Sequence, residues 1–119
     1  MDLQKLDKME SVQDWRLKQK LRLANIICSR LGMYDEDKKA VYFLIKTVRN
    51  FNELSRTASN EIIICALCFY VLKTRNSKVN LEDYEVFEEY GLTYRIYSTI
   101  STHLTNYYQR QVLRGYVDL

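Results

Sequence analysis

These 119 residues are expected to fold as an all-α bundle of five helices. Three features point that way. With only 3 Gly and no Pro, little in the chain interrupts regular structure. Apolar residues recur at helical steps: Leu17, Leu21, Ala24, Cys28 and Leu31 fall on a single stripe. Capping residues and glycines then divide the sequence into five segments around one core, so residues 1–119 are read as one domain with frayed ends at 1–10 and 114–119.

The first helix runs from about Ser11 to Leu31. Ser11 and Asp14 have the spacing of a capping box, and Gly32 supplies a left-handed stop. A second helix begins near Asp35, where Asp35, Glu36 and Asp37 meet the positive end of the backbone dipoles; it buries Val41, Leu44, Ile45 and Val48. Phe51 to Arg56 reads as loop or a short extra turn. Ser59 caps the third helix, whose run from Ile62 to Leu72 has no charge between Glu61 and Lys73. A helix apolar all round must be enclosed, which makes this the central element. The same run with its three isoleucines also fits a buried strand, but its length and the lack of a hairpin partner favour helix. Asn80 caps a short fourth helix from Leu81 to Tyr90, with Asp83 at its third position, and Gly91 ends it. Thr93 opens a fifth helix to about Val112 that buries Tyr97, Ile100, Leu104 and Tyr107 or Tyr108.

Composition narrows the function. At 47% hydrophobic and 28% charged, the chain is neither disordered nor a loop-rich disulfide scaffold. An odd count of 3 Cys and no signal-peptide pattern predict a reducing, cytoplasmic setting with the thiols in the core; the longest apolar run is about half a membrane span. The net charge of +3 is uneven, with 12 basic and 8 acidic residues in 1–60 against 6 and 7 in 61–119. Any electropositive surface should therefore involve the amino-terminal half.

The order long, amphipathic, buried, short, long is that of the cyclin box. From about Trp15 to Tyr108 the chain resembles a single cyclin-like repeat of archaeal transcription factor B and its eukaryotic counterpart TFIIB. "LANIICSRLGMYDEDKKAVYFLIKT" is similar to that family's first two helices, "RTASNEIIICALCFYVLKTR" to its approach and buried third helix, and "NLEDYEVFEEYGLTYRIYSTISTHL" to its closing helix-turn-helix. The family also carries a zinc ribbon and a second repeat, which have no counterpart here, and favours Ala where this chain has Ile63, Leu67 and Phe69. The resemblance implies a divergent cyclin-like module acting in transcription.

The closing pair is the most informative stretch for function. A glycine turn before a longer helix suits major-groove insertion, and the outward stripe Arg95, Ser98, Thr99, Thr102, Asn106 and Gln109 has the donors and acceptors to reach base edges or phosphates. The expected DNA-facing residues are Tyr94, Arg95, Ser98, Thr99 and Thr102, with phosphate contacts from Lys18, Arg22 and Lys39. Against this stand Glu82, Asp83, Glu85, Glu88 and Glu89 in the preceding helix. Arg16, Lys18, Lys20 and Arg22 lie on two flanks of the first helix, where alkyl stems commonly cover core edges.

Cys65 and Cys68 form a CxxC inside an apolar run, a position that suits packing rather than zinc or redox work, and His103 has no nucleophile or orienting acid placed by any motif. No catalytic signature, cofactor, metal site, membrane segment or small-molecule substrate is read. The sequence thus points to a non-enzymatic binding module, a small transcription regulator working through DNA or the basal transcription proteins. A protein-interaction module or homodimer, using the tyrosine-rich surface and the acidic fourth helix, is the alternative.

Overall fold

The computed structural model describes residues 12–113. Among these, five α-helices and no strand occur: α1 Val12–Arg30, α2 Asp35–Val48, α3 Asn60–Arg75, α4 Glu85–Tyr90 and α5 Tyr94–Leu113. The expected Ser11 cap and the frayed ends at 1–10 and 114–119 lie outside the described residues.

Helix α3 is the centre, packed against all four of the others. Every residue from Ile63 to Phe69 is buried, which is why the run can lack a polar face. Ser59 caps it, its Oγ accepting the Ile62 N–H at 3.2 Å. At its other end Arg75 Nε donates to the buried Asp37 carboxylate of α2 at 3.1 Å, so a carboxylate of the first turn of α2 also pins the end of α3. Val41, Leu44, Ile45 and Val48 bury the expected face of α2, and α1 contributes Ala24, Ile27 and Cys28. Each large side chain so buried is worth roughly 1.5–3 kcal/mol.

Two glycine stops have the expected geometry. After α1, Gly32 (φ 67°) lets Met33 N–H reach Cys28 O at 3.1 Å. After α4, Gly91 (φ 88°) lets Leu92 N–H reach Phe87 O at 2.9 Å. In both, the residue beyond the glycine is buried, completing a Schellman stop. Thr93 then caps α5, accepting the Ile96 N–H at 3.2 Å.

The fourth helix differs from the expected span of Leu81 to Tyr90. Leu81–Asp83 is a separate 3-10 turn, Tyr84 is extended (φ −128°, ψ 109°), and only Glu85–Tyr90 is α-helical. Local bonds explain the break. Asp83 turns back to accept the Asn80 N–H at 2.8 Å, and the Tyr94 hydroxyl holds Leu81 N–H at 2.8 Å, so the turn is tied to α5 rather than continued. Tyr84 then places its ring edge-on to Phe87, 5.4 Å between centroids.

Helix α1 runs antiparallel to α2, with Asp14 near Arg49 at one end. At the other, Arg30 pairs with Glu89 of α4. The carbonyl of Thr47 accepts from the Tyr107 hydroxyl at 3.1 Å, so α5 starts at the α4 end and finishes at the end where α2 stops.

Candidate nucleic-acid interface

The segment that joins α2 to α3 becomes one wall of the candidate site. Asn50 begins it by accepting the Asn52 N–H at 3.1 Å, and Phe51–Glu53 forms a 3-10 turn. Phe51 and Leu54 are buried, which anchors the segment against the bundle. Asn52, Glu53, Ser55, Arg56 and Thr57 are polar and face α5. His103 Nδ1 lies 2.8 Å from Leu54 O; an acceptor there requires Nδ1 to carry the proton, which leaves Nε2 as the ring's second polar atom. Arg110 completes the attachment through Glu53 at 3.1 Å.

Between this segment and α5 lies an open cleft of about 650 Å³, lined by Asn52, Glu53, Ser55, Arg56, Thr57, Thr99, His103, Asn106 and Arg110. A second hollow extends it toward the start of α5, where Arg95 and Thr99 face Ser55, Thr57 and Ile62. The helical wall is the stripe Arg95, Thr99, His103, Asn106 and Arg110, about 22 Å from end to end at 1.5 Å per residue. Three guanidinium groups and one histidine line the combined groove. Glu53 is the one carboxylate among its lining residues, and Arg110 neutralises it. Helix α5 carries no acidic residue at all.

Of the eight residues singled out from sequence, the structure brings two into this groove, Arg95 and Thr99. Ser98 and Thr102 are exposed on the adjoining flank of α5, turned away by the 100° helical step. Tyr94 is placed otherwise: its hydroxyl is engaged by Leu81 N–H and donates to Asn80 Oδ1 at 3.4 Å, and its ring meets Phe69 edge-on at 6.2 Å. Tyr94 therefore locks the start of α5 to the preceding turn. Lys18, Arg22 and Lys39 are exposed on α1 and α2 and line none of these clefts. The cations that do join the groove, Arg56 and Arg110, sit in a segment without periodicity and in the last turns of α5; only the spacing of Arg110 from Asn106 (i, i+4) and His103 (i, i+7) hinted at the latter.

The acidic helix stands apart from most of this surface. Glu82 and Glu88 rim a different hollow, floored by Leu81, Tyr84, Phe87, Leu92 and Tyr94, at the first turn of α5. The groove leads away from it. Burial accounts for the cysteines as the sequence suggested: all three are unbridged and buried. Cys28 and Cys68 sulfurs lie 3.6 Å apart across α1 and α3, and burial pushes the Cys65 thiol up to about 12. No group of three or more His, Cys, Asp and Glu among the described residues could hold a metal ion, and no helix among them is long and apolar enough to cross a membrane.

In comparison with known proteins, the chain matches no family model, no curated protein and no solved structure.

Proposed function

We propose that this protein is a non-enzymatic nucleic-acid-binding module, a small transcription regulator whose fifth helix docks on duplex DNA. The observation that carries the reading is the polar groove along α5, where Arg56, Arg95 and Arg110 stand with a single, already paired carboxylate. Guanidinium groups favour phosphate because their donors match two oxygens at once. In this docking the groove stripe holds backbone phosphates, and the exposed flank of Ser98, Thr102 and Gln109 faces base edges. A role in transcription is suggested by the cyclin-like resemblance of the sequence from Trp15 to Tyr108. The carboxylates of α4 are met only at the first turn of α5.

The test is fluorescence anisotropy with a mixed-sequence duplex at low salt. Arg95→Ala combined with Arg56→Ala should weaken binding at least tenfold, since two charge-assisted contacts are lost. Lys18→Ala, outside the groove, should do much less. No binding by the parent protein, or equal losses for all these variants, would remove the reading.

A protein-interaction or homodimeric role is the second reading, supported by the acid-rimmed apolar hollow beside α4 and by the exposure of Trp15, Ile26 and Phe43. Sedimentation at micromolar concentration separates the two: a stable dimer insensitive to DNA favours the second.

A further inference from the structure

Helix α2 stops without a glycine. Arg49 itself has positive φ (58°, ψ −57°), and Asn50 N–H closes a tight turn onto Val48 O at 2.6 Å. A side chain is strained in this conformation, which glycine adopts readily. Strain of this kind persists only where the surrounding structure holds it, and it clusters at ligand-binding sites. Here it aims the guanidinium at the first turns of α1, where Arg16 and Lys20 stand one turn apart. Like charges at that spacing weaken a helix. The three cations share a cleft of about 300 Å³ with Gln13, Asn50 and Asn52.

The cleft is preorganised. Lys20 donates to the Arg49 carbonyl, and its ammonium lies 4.2 Å over the Phe51 ring. Burial and then the nearby Arg16 charge depress the Lys20 pKa, the response of an ammonium partly withdrawn from water beside a like charge. Asp14, outside the cleft lining, forms a long ion pair with Arg49 at 3.9 Å, with which an incoming oxyanion would compete. The α4 carboxylates are remote: from Arg16 to Arg30, the partner of Glu89, α1 rises about 21 Å, more than twice the ~8 Å screening length at physiological salt.

We propose that this cleft is a phosphate seat, with the Arg16 and Arg49 guanidinium groups receiving the oxyanion in front of Lys20. Its assignment to a backbone phosphodiester rests on the nucleic-acid reading above, and the geometry connects the two surfaces, since Asn52 lines both the α5 groove and this cleft. A strand lying along α5 is thereby continued onto α1.

The experiment titrates the isotope-labelled full chain with pyrophosphate at low salt, with chloride at equal ionic strength as control, and follows the resonances of Arg16, Arg49, Asn50 and Asn52. They should move together on one saturating curve that chloride does not reproduce. Arg49→Gly removes the guanidinium and the strain together: it should weaken pyrophosphate binding by about tenfold while the melting temperature holds or rises by a few degrees. Arg49→Lys, which keeps a charge on the same backbone, should retain most of the binding. A purely structural Arg49 would leave affinity unchanged in Arg49→Gly, and that result, or shifts matched by chloride, overturns the seat. The two proposals fail separately. Pyrophosphate binding lost in Arg49→Gly, with no duplex binding by the parent, keeps the seat as a site for free phosphate and removes the nucleic-acid reading. Duplex binding that needs Arg56 and Arg95 but is indifferent to Arg49 does the reverse.

Discussion

At the α4 end of the molecule, helices stop on glycine: Gly32 and Gly91 take positive φ, and buried Met33 and Leu92 close the turn. At the opposite end α2 stops on Arg49 at φ 58°, with Arg16 and Lys20 against it. The first end is built from relaxed turns, edge-on rings and paired charges, as where Arg30 meets Glu89. The second has ion pairs too, Asp14 with Arg49 and Glu53 with Arg110, but it also tolerates strain and converging like charges. Apolar and aromatic packing is thus concentrated around α3 and α4, whereas the cationic and polar clefts proposed to bind phosphate lie around the Arg49–Ala58 segment.

The largest effect should come from the stable side. Phe69 meets Phe87, Tyr94 and Tyr97 edge-on, with centroids 5.6, 6.2 and 4.8 Å away. Phe69→Ala should cost about 3–5 kcal/mol in urea unfolding, through lost burial and the cavity left behind. If it costs under 1 kcal/mol, the aromatic cluster is not the mainstay of stability.

Alkali should act on the same region. Below pH 9 the Cys65 thiol is protonated in folded and unfolded chains alike. Between pH 9 and about 12 the unfolded chain releases that proton while the folded one keeps it, so stability should fall steadily across this window. Urea midpoints measured from pH 8 to 11 check the sign; a flat profile contradicts it.

The two kinds of helix stop should respond in opposite directions to exchange of side chains. Gly91→Ala places a Cβ at φ 88° and should destabilise by about 1–2 kcal/mol, although the nearest atom, Ile62 Cδ1, leaves room at 3.9 Å. Arg49→Gly should be neutral or stabilising in the same thermal melts. Tyr94→Phe is a smaller change: losing the bond to Leu81 N–H should cost about 1 kcal/mol, with duplex affinity unaltered.

Much of the fold was readable because its signals are local or periodic. The enclosed α3 follows from Ile62–Leu72, and Ser59, Thr93, Gly32 and Gly91 act where their chemistry demands. Other features depend on long-range bonds that leave no local pattern. Tyr84 interrupts the fourth helix because Tyr94, ten residues on, captures the turn before it. Phe51 and Leu54 enter the core from a segment with no periodicity, and the tie from Leu54 O to His103 spans 49 residues. For the site, the α5 stripe was legible as exposed and polar, and Arg95 and Thr99 belong to the groove. Its facing wall was not, because Arg56 owes its placement to that anchored segment, and neither was the cleft against α1, where Arg49 depends on a backbone conformation arginine rarely adopts.

The salt dependence of duplex binding tests the central claim most directly. If the α5 groove grips phosphates, log K against log salt should be linear; Arg56→Ala and Arg95→Ala should each make the slope shallower by about 1, and Arg110→Ala, which removes a guanidinium already paired with Glu53, by less. A slope unchanged in all three variants, or a parent protein whose affinity ignores salt, would contradict it.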